Sequence, residues 1–191
     1  MNRAVFIDRD GTINEEMGYI NHVQRFRLLP RTIEAIRLIN HLGLKAVVVT
    51  NQSGPARGYF PEELIGQIHT ELQAALKKNG AHLDGIYYCC HHPHATVEAY
   101  RSQCNCRKPN IGLLLEAAND LNIDLKMSYV VGDRYVDVEL AHKAGAKGIL
   151  VLTGYGQGEL KYIGPHQHHK PIFIAEDLYD AVKWISKDIK R

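Results

Sequence analysis

The run Lys45-Ala46-Val47-Val48-Val49-Thr50 restricts the possible folds more than any other stretch of this chain. It is β-branched and apolar without polar alternation, which suits a strand buried on both faces. Such strands belong to parallel sheets covered by helices. Ala4–Ile7 reads the same way. From Arg31 to Leu42 the apolar residues Ile33, Ile36, Leu38, Ile39 and Leu42 recur at helical spacing, and Gly43 supplies a stop. Pro61 opens a second helix that runs to about Asn79, with Gly80 beyond its end. A short strand is expected at 85–88, followed by an irregular loop over 89–110 and a helix over 111–121. A strand at 128–131, a helix at 136–144 and a strand at 148–152 come next. A loop over 155–170, an edge strand at 172–174 and a helix over 177–187 complete the pattern. This alternation predicts an α/β fold, a doubly wound parallel sheet between two helical layers. No repeat, low-complexity stretch or linker divides the 191 residues, so one domain over 1–191 is expected.

Bulk properties narrow the function. Net charge is +2 with both signs interspersed, and no basic stripe with interleaved aromatics points to nucleic acid. The basic tail from Lys183 to Arg191 reads as the solvated face of a last helix. No apolar run is long enough to span a bilayer, and the first residues lead straight into a strand rather than a signal peptide. A cytoplasmic, monomeric protein with no membrane partner is the expectation. In that compartment the four cysteines are expected to be reduced or on a metal.

The chemistry is expected where Val5-Phe6-Ile7 runs into Asp8-Arg9-Asp10-Gly11-Thr12. A buried strand delivers side chains to its C-terminal tip, where open α/β sheets bind ligands. An aspartate, with an ordinary pKa of about 3.9, is ionised at neutral pH. It can attack phosphorus without a base, while a second aspartate handles the proton of the leaving group. Asp-x-Asp alone also suits a turn or a helix cap. Three further signals at strand ends support the chemical reading. Thr50-Asn51-Gln52-Ser53 offers a hydroxyl and backbone N–H groups to phosphate oxygens. Gly132-Asp133, with Asp137 beyond, offers carboxylate to Mg²⁺ as well as a helix cap. Arg107-Lys108-Pro109 supplies cations that offset the charge of two acids and a phosphate.

Asp8-x-Asp10-Gly11-Thr12, Thr50, Lys108 and Gly132-Asp133-x-x-x-Asp137 stand in the order found in haloacid dehalogenase-like phosphatases. From about residue 4 to 153 the chain resembles that superfamily. The resemblance implies phosphomonoester hydrolysis through an aspartyl-phosphate on Asp8, with Asp10 as general acid and base. It implies Mg²⁺ held by Asp8, the backbone carbonyl of Asp10, and Asp133. Thr50 and Lys108 would cradle the phosphate, and Asp137 would orient Lys108 or a metal-bound water. The intervals from Gly11 to Pro30 and from Asn51 to Pro61 are too short for a separate lid domain.

Cys89-Cys90-His91-His92-Pro93, then Cys104-Asn105-Cys106, offers two close groups of nitrogen and sulfur donors separated by a loop, which suits tetrahedral Zn²⁺. Spacing alone leaves Cys89-x-His91 and Cys90-x-His92 as alternatives. The pattern resembles a subgroup of the superfamily containing D-glycero-D-manno-heptose 1,7-bisphosphate 7-phosphatases and histidinol-phosphate phosphatases. That resemblance implies Cys89, His91, Cys104 and Cys106 as ligands of a structural zinc that fixes Arg107 and Lys108. Tyr87-Tyr88 and Thr50 to Ser53 resemble the heptose enzymes most. By resemblance, substrate contacts fall on Glu16, Met17, Gly18, Tyr19, Thr50, Asn51, Gln52, Ser53, Arg107, Lys108 and Arg134. Arg134 stands where lysine is common, and its planar fork changes the expected contact. The implied substrate is a phosphosugar whose 7-phosphate is removed, with the 1-phosphate product feeding nucleotide-activated heptose for lipopolysaccharide or another surface glycan. Histidinol phosphate is the alternative substrate, and a phosphosugar-binding module the non-catalytic alternative. The segment from Gly164 to His169 is rich in histidine but lacks accompanying cysteine or carboxylate, and reads as a solvated loop.

Overall fold

The computed structural model describes residues 1–190. Six parallel strands form one sheet in the order β3-β2-β1-β4-β5-β6. They are β1 (Ala4–Ile7), β2 (Lys45–Asn51), β3 (Gly85–Cys89), β4 (Tyr129–Gly132), β5 (Lys147–Val151) and β6 (Phe173–Ala175). The helices are α1 (Thr32–His41), α2 (Glu63–Lys78), α3 (Gly112–Leu121), α4 (Tyr135–Ala144), the single turn α5 (Gly156–Gly158) and α6 (Leu178–Asp188).

Successive strand side chains point to opposite faces of a sheet, and the two layers follow from that parity. Val5 and Ile7 pack with Val48, Val131, Ile36 of α1, Leu72 of α2 and Val182 of α6. Ala4 and Phe6 face the other way, toward Val47, Val130, Leu114 of α3 and Leu140 of α4. Every residue of β1 is fully buried, as its unbroken apolar run requires. β1 lies between β2 and β4, where the strand order reverses. Ile7 is paired with Val48 on one side and Val131 on the other. The residues that follow β1, end β2 and follow β4 therefore emerge at one level, at the crevice where doubly wound sheets bind ligands.

The elements agree with the sequence pattern, with shifts at their ends. The second helix begins at Glu63 rather than Pro61, because Glu62 takes the cap position and Pro61 precedes it. The first begins at Thr32, since Arg31 adopts a left-handed conformation. β3 extends through Cys89, so the cysteine-rich loop starts from a strand end. The edge strand lies one residue later than expected. The expected loop over 155–170 instead contains three helical turns: α5, a π-turn at Glu159–Ile163 and a 3₁₀ turn at Gly164–His166. These turns carry no apolar periodicity. Contacts such as the Tyr135 N–H donating to Glu159 anchor them. No helix among the described residues is long and apolar enough to cross a membrane.

Candidate active site and metal cluster

Asp8 follows β1, and its carboxylate faces a buried cation. Lys108 Nζ lies 2.7 Å from Asp8 Oδ1 and 2.6 Å from Asp137 Oδ1, and it also donates to the Val49 carbonyl at 3.1 Å. Lys108 and Asp137 are buried. Burial opposes the charge on Lys108, but Asp137 and Asp8 outweigh it and raise the ammonium above its ordinary range. Asn51 clasps the Lys108 backbone from β2: its Oδ1 accepts from the Lys108 N–H and its Nδ2 donates to the Lys108 carbonyl.

Asp133, at the end of β4, completes a buried carboxylate trio with Asp8 and Asp137. One Asp133 oxygen accepts from the Tyr155 N–H at 2.8 Å. The other, Oδ1, and Asp137 Oδ2 are buried without a hydrogen-bond partner. Burial above all, with repulsion from neighbouring carboxylates adding to it, pushes Asp8 up to about 7 and Asp133 up to about 8. Orphaned buried oxygens in a crowded acidic cluster fit a hard divalent cation, which takes oxygen ligands and removes that repulsion. Gly11 makes room for the trio. Its φ is +83°, and a Cβ there would overlap the Asp133 carboxylate.

Asp10 is held differently. Its carboxylate lies outside the trio and accepts from Arg9 Nη2 at 2.9 and 3.0 Å, Asn14 Nδ2 at 2.9 Å and Gln52 Nε2 at 2.6 Å. Burial works against ionisation, but the charge of Arg9 and these donors outweigh it and hold the carboxyl below its usual range.

A cavity of about 290 Å³ opens over these groups. Of the sequence-predicted residues, Asp8, Asp10, Glu16, Gly18, Tyr19, Thr50, Asn51, Ser53, Arg107, Lys108, Arg134 and Asp137 line it, together with Arg57 and Tyr155. Three others sit elsewhere. Met17 packs against the Ile20, Leu64 and Ile68 cluster. Gln52 reaches the site only through Asp10, Thr50 and Arg9. Asp133 lies beneath the cavity floor in the trio. Arg134 pairs with Glu159 at 3.4 Å and lies over the Tyr155 ring. Sequence reasoning overlooked Arg9, Asn14, His69 and Tyr155. A basic residue between two aspartates was the available signal for Arg9.

The cysteine-rich loop folds onto one point. Cys89, His91, Cys104 and Cys106 bring three sulfurs and His91 Nδ1 together, all within 4.8 Å, with five of the six separations at 2.9–3.8 Å. A zinc tetrahedron with Zn–S bonds near 2.3 Å has edges of about 3.7 Å. Burial resists ionisation of Cys104, yet hydrogen bonds from the Cys106 thiol and the Arg107 N–H bring it down to about 6. A thiolate is the form a metal takes. Cys90 stands apart against Glu62, and His92 Nε2 faces Arg57 at 3.2 Å. The cluster adjoins the cavity: Arg107 Nη1 donates to the His91 carbonyl at 3.1 Å. Thr96 and Val97 donate to the Ala56 carbonyl, joining the loop to the turn at Pro55–Arg57.

Comparison with known proteins agrees with this geometry. A family model described as HAD-hydrolase-like matches residues 105–181. The chain is 46% identical to the D-glycero-beta-D-manno-heptose-1,7-bisphosphate 7-phosphatase of Photorhabdus laumondii, over 98% of this chain and 97% of that protein. It is 43% identical to the D-glycero-D-manno-heptose-1,7-bisphosphate 7-phosphatase of Thermosynechococcus vestitus, over 95% and 94%. Among solved structures, the D,D-heptose 1,7-bisphosphate phosphatase from B. bronchiseptica, complexed with magnesium and phosphate, superimposes with a TM-score of 0.86 at 29% identity. That match covers 97% of this chain and 99% of the other. Full-length relatives above 40% identity, on the same doubly wound sheet, make this chain a phosphomonoester hydrolase that belongs to the HAD-like heptose-1,7-bisphosphate 7-phosphatase family.

Proposed function

We propose that this protein removes the 7-phosphate of a D-glycero-D-manno-heptose 1,7-bisphosphate through an aspartyl-phosphate on Asp8. The observation that carries the reading is the setting of Asp8, in a cavity also lined by Arg57, Arg107 and Arg134, and bonded to Lys108. An ionised aspartate needs no base to become a nucleophile, so its oxygen attacks phosphorus as the bond to the sugar oxygen breaks. Asp10, ionised in the free site by Arg9 and its other donors, takes up a proton as the phosphate ester binds and gives it to that departing oxygen. It then takes a proton from the water that cleaves the acyl phosphate. Thr50 and Lys108 bind phosphoryl oxygens, and Lys108 also offsets the repulsion between Asp8 and the incoming phosphate. Asp137 orients Lys108.

Asp8, Asp133 and the backbone carbonyl of Asp10 would hold Mg²⁺. When bound, the ion supplies neutralising charge to the transferring oxygens. Cys89, His91, Cys104 and Cys106 would hold a structural Zn²⁺, with no position left open for chemistry.

Arg57, Arg107 and Arg134 line the cavity, and Glu16 is the one lining acid besides Asp8, Asp10 and Asp137. That balance favours a substrate with a second anionic group over amine-bearing histidinol phosphate. The product is a sugar 1-phosphate, suited to nucleotide activation. The test is kcat/KM over α- and β-heptose 1,7-bisphosphates and histidinol phosphate, with Asp8→Asn as control. Preference for a heptose bisphosphate and a silent Asp8→Asn variant are expected. Preference for histidinol phosphate would overturn the substrate, and turnover by Asp8→Asn would overturn the nucleophile.

A further inference from the structure

We propose that Arg9, braced by His69 on α2, is a positioning residue that fixes the Asp10 carboxylate for proton transfer. This role rests on the assignment of Asp10 as acid and base. Arg9 stands between the two aspartates, where its side chain would be expected to reach solvent. Instead it is 1% exposed, the largest fully buried side chain described. Burying a guanidinium is unfavourable unless its donors are matched. Here they are matched by few groups. Nη2 and Nε donate to Asp10, Nη2 also to Gln52 Oε1 at 3.0 Å, and Nη1 lies 3.3 Å from His69 Nε2.

The His69 contact has a determined polarity. A guanidinium only donates, so Nε2 accepts and the ring proton resides on Nδ1. Burial first, then the charge of Arg9, pushes His69 down to about 4, which keeps the ring neutral and accepting at neutral pH. The ring also meets Tyr88 edge-on at 5.5 Å. Helix α2 and strand β3 thereby fix the guanidinium, and the guanidinium fixes Asp10.

The chemical consequence concerns charge. As the phosphorus–oxygen bond to the sugar breaks and the Asp8–phosphorus bond forms, the Asp10 proton moves to the sugar oxygen. A negative charge appears on Asp10 at that moment. Donors from Arg9, Asn14 and Gln52 already point at both of its oxygens, so little reorganisation is needed. This assistance matters for a basic alkoxide leaving group and little for p-nitrophenolate.

The test compares kcat/KM, which reports phosphoryl transfer to Asp8 and not the later hydrolysis both substrates share, for heptose 1,7-bisphosphate and p-nitrophenyl phosphate in the wild type, Asp10→Asn, Arg9→Gln, His69→Phe and His69→Gln. Asp10→Asn is expected to lose far more activity on the sugar, since general acid catalysis contributes on the order of 10²–10⁴-fold. Arg9→Gln is expected to show the same bias, losing on the order of tenfold or more on the sugar beyond its loss on the aryl ester. His69→Phe keeps the ring against Tyr88 but lacks the acceptor, and is expected to show a smaller bias that His69→Gln removes. If Arg9→Gln does not fold, the two His69 variants decide. Equal losses on both substrates, or none, would overturn the role. An unbiased Asp10→Asn variant would overturn the acid–base assignment itself, and this role with it.

Discussion

The ammonium of Lys108 lies 2.7 Å from the carboxylate of Asp8, although the two residues are 100 positions apart in the chain. The lysine arrives from the end of the cysteine-rich loop and the aspartate from the tip of β1, so the site exists only when both are in place.

Replacing Lys108 tests that dependence. Lys108→Met leaves Asp8 and Asp137 buried and uncompensated, and breaking a buried ion pair from one side costs about 3–5 kcal/mol. Denaturant unfolding should show a loss of that order, and phosphate release should fall by at least about a hundredfold. Lys108→Arg is expected to restore some stability and little turnover, because a planar fork does not reproduce the point charge.

The carboxylate trio predicts how magnesium stabilisation varies with pH. Asp8 and Asp133 have folded-state pKa values raised to about 7 and about 8. A carboxyl raised by folding binds its proton more tightly in the native state. The metal-free protein should therefore lose stability as pH climbs from about 4 through 8. A cation held by ionised Asp8 and Asp133 compensates this loss. The rise in melting temperature on adding MgCl₂ should be larger at pH 8 than at pH 6. Equal shifts at the two values would contradict the placement of the ion.

Removing the cysteine cluster should unmake the cavity wall. Structural zinc contributes roughly 10–16 kcal/mol apparent in small peptides, comparable with a whole domain's stability of about 5–15 kcal/mol. Cys106→Ser is expected to purify without stoichiometric zinc, melt at lower temperature and lose kcat/KM. Elemental analysis and thermal unfolding check this directly. Cys90→Ser should retain the metal, since Cys90 lies outside the cluster.

Gly11 carries a sharper steric requirement than its neighbours. Gly11→Ala must tolerate a positive φ and a Cβ directed at Asp133. Such backbone strain costs on the order of 1–3 kcal/mol, and displacement of Asp133 should weaken Mg²⁺ affinity as well. Titration of activity against MgCl₂ should show a raised half-saturation concentration.

Much of this was legible from residue order because the informative features are local. Unbroken apolar runs such as Ala4–Ile7 mark buried strands, and the acids that follow them identify the reactive end of the sheet. Lys108 was legible because a cation must balance those acids. Burial of Arg9 was not, because it depends on Gln52 and His69 converging from two other elements. The register of the cysteine cluster was open to spacing alone. It follows from β3 continuing through Cys89, which turns that thiol inward. The helical turns between Gly156 and His166 escaped because Gly, Pro and His carry no helical period, and tertiary contacts hold them.

The turn at Pro55–Arg57 and the cysteine-rich loop are joined through the carbonyl of Ala56, which receives two amides, and through the Arg57–His92 contact. Together with the short segments after β1, these pieces wall the cavity over Asp8 and Asp10. Their shape and charge are what a sugar meets on entry. Substitutions along the cavity rim can then redirect the enzyme to a different phosphate ester while the reacting atoms beneath keep their positions.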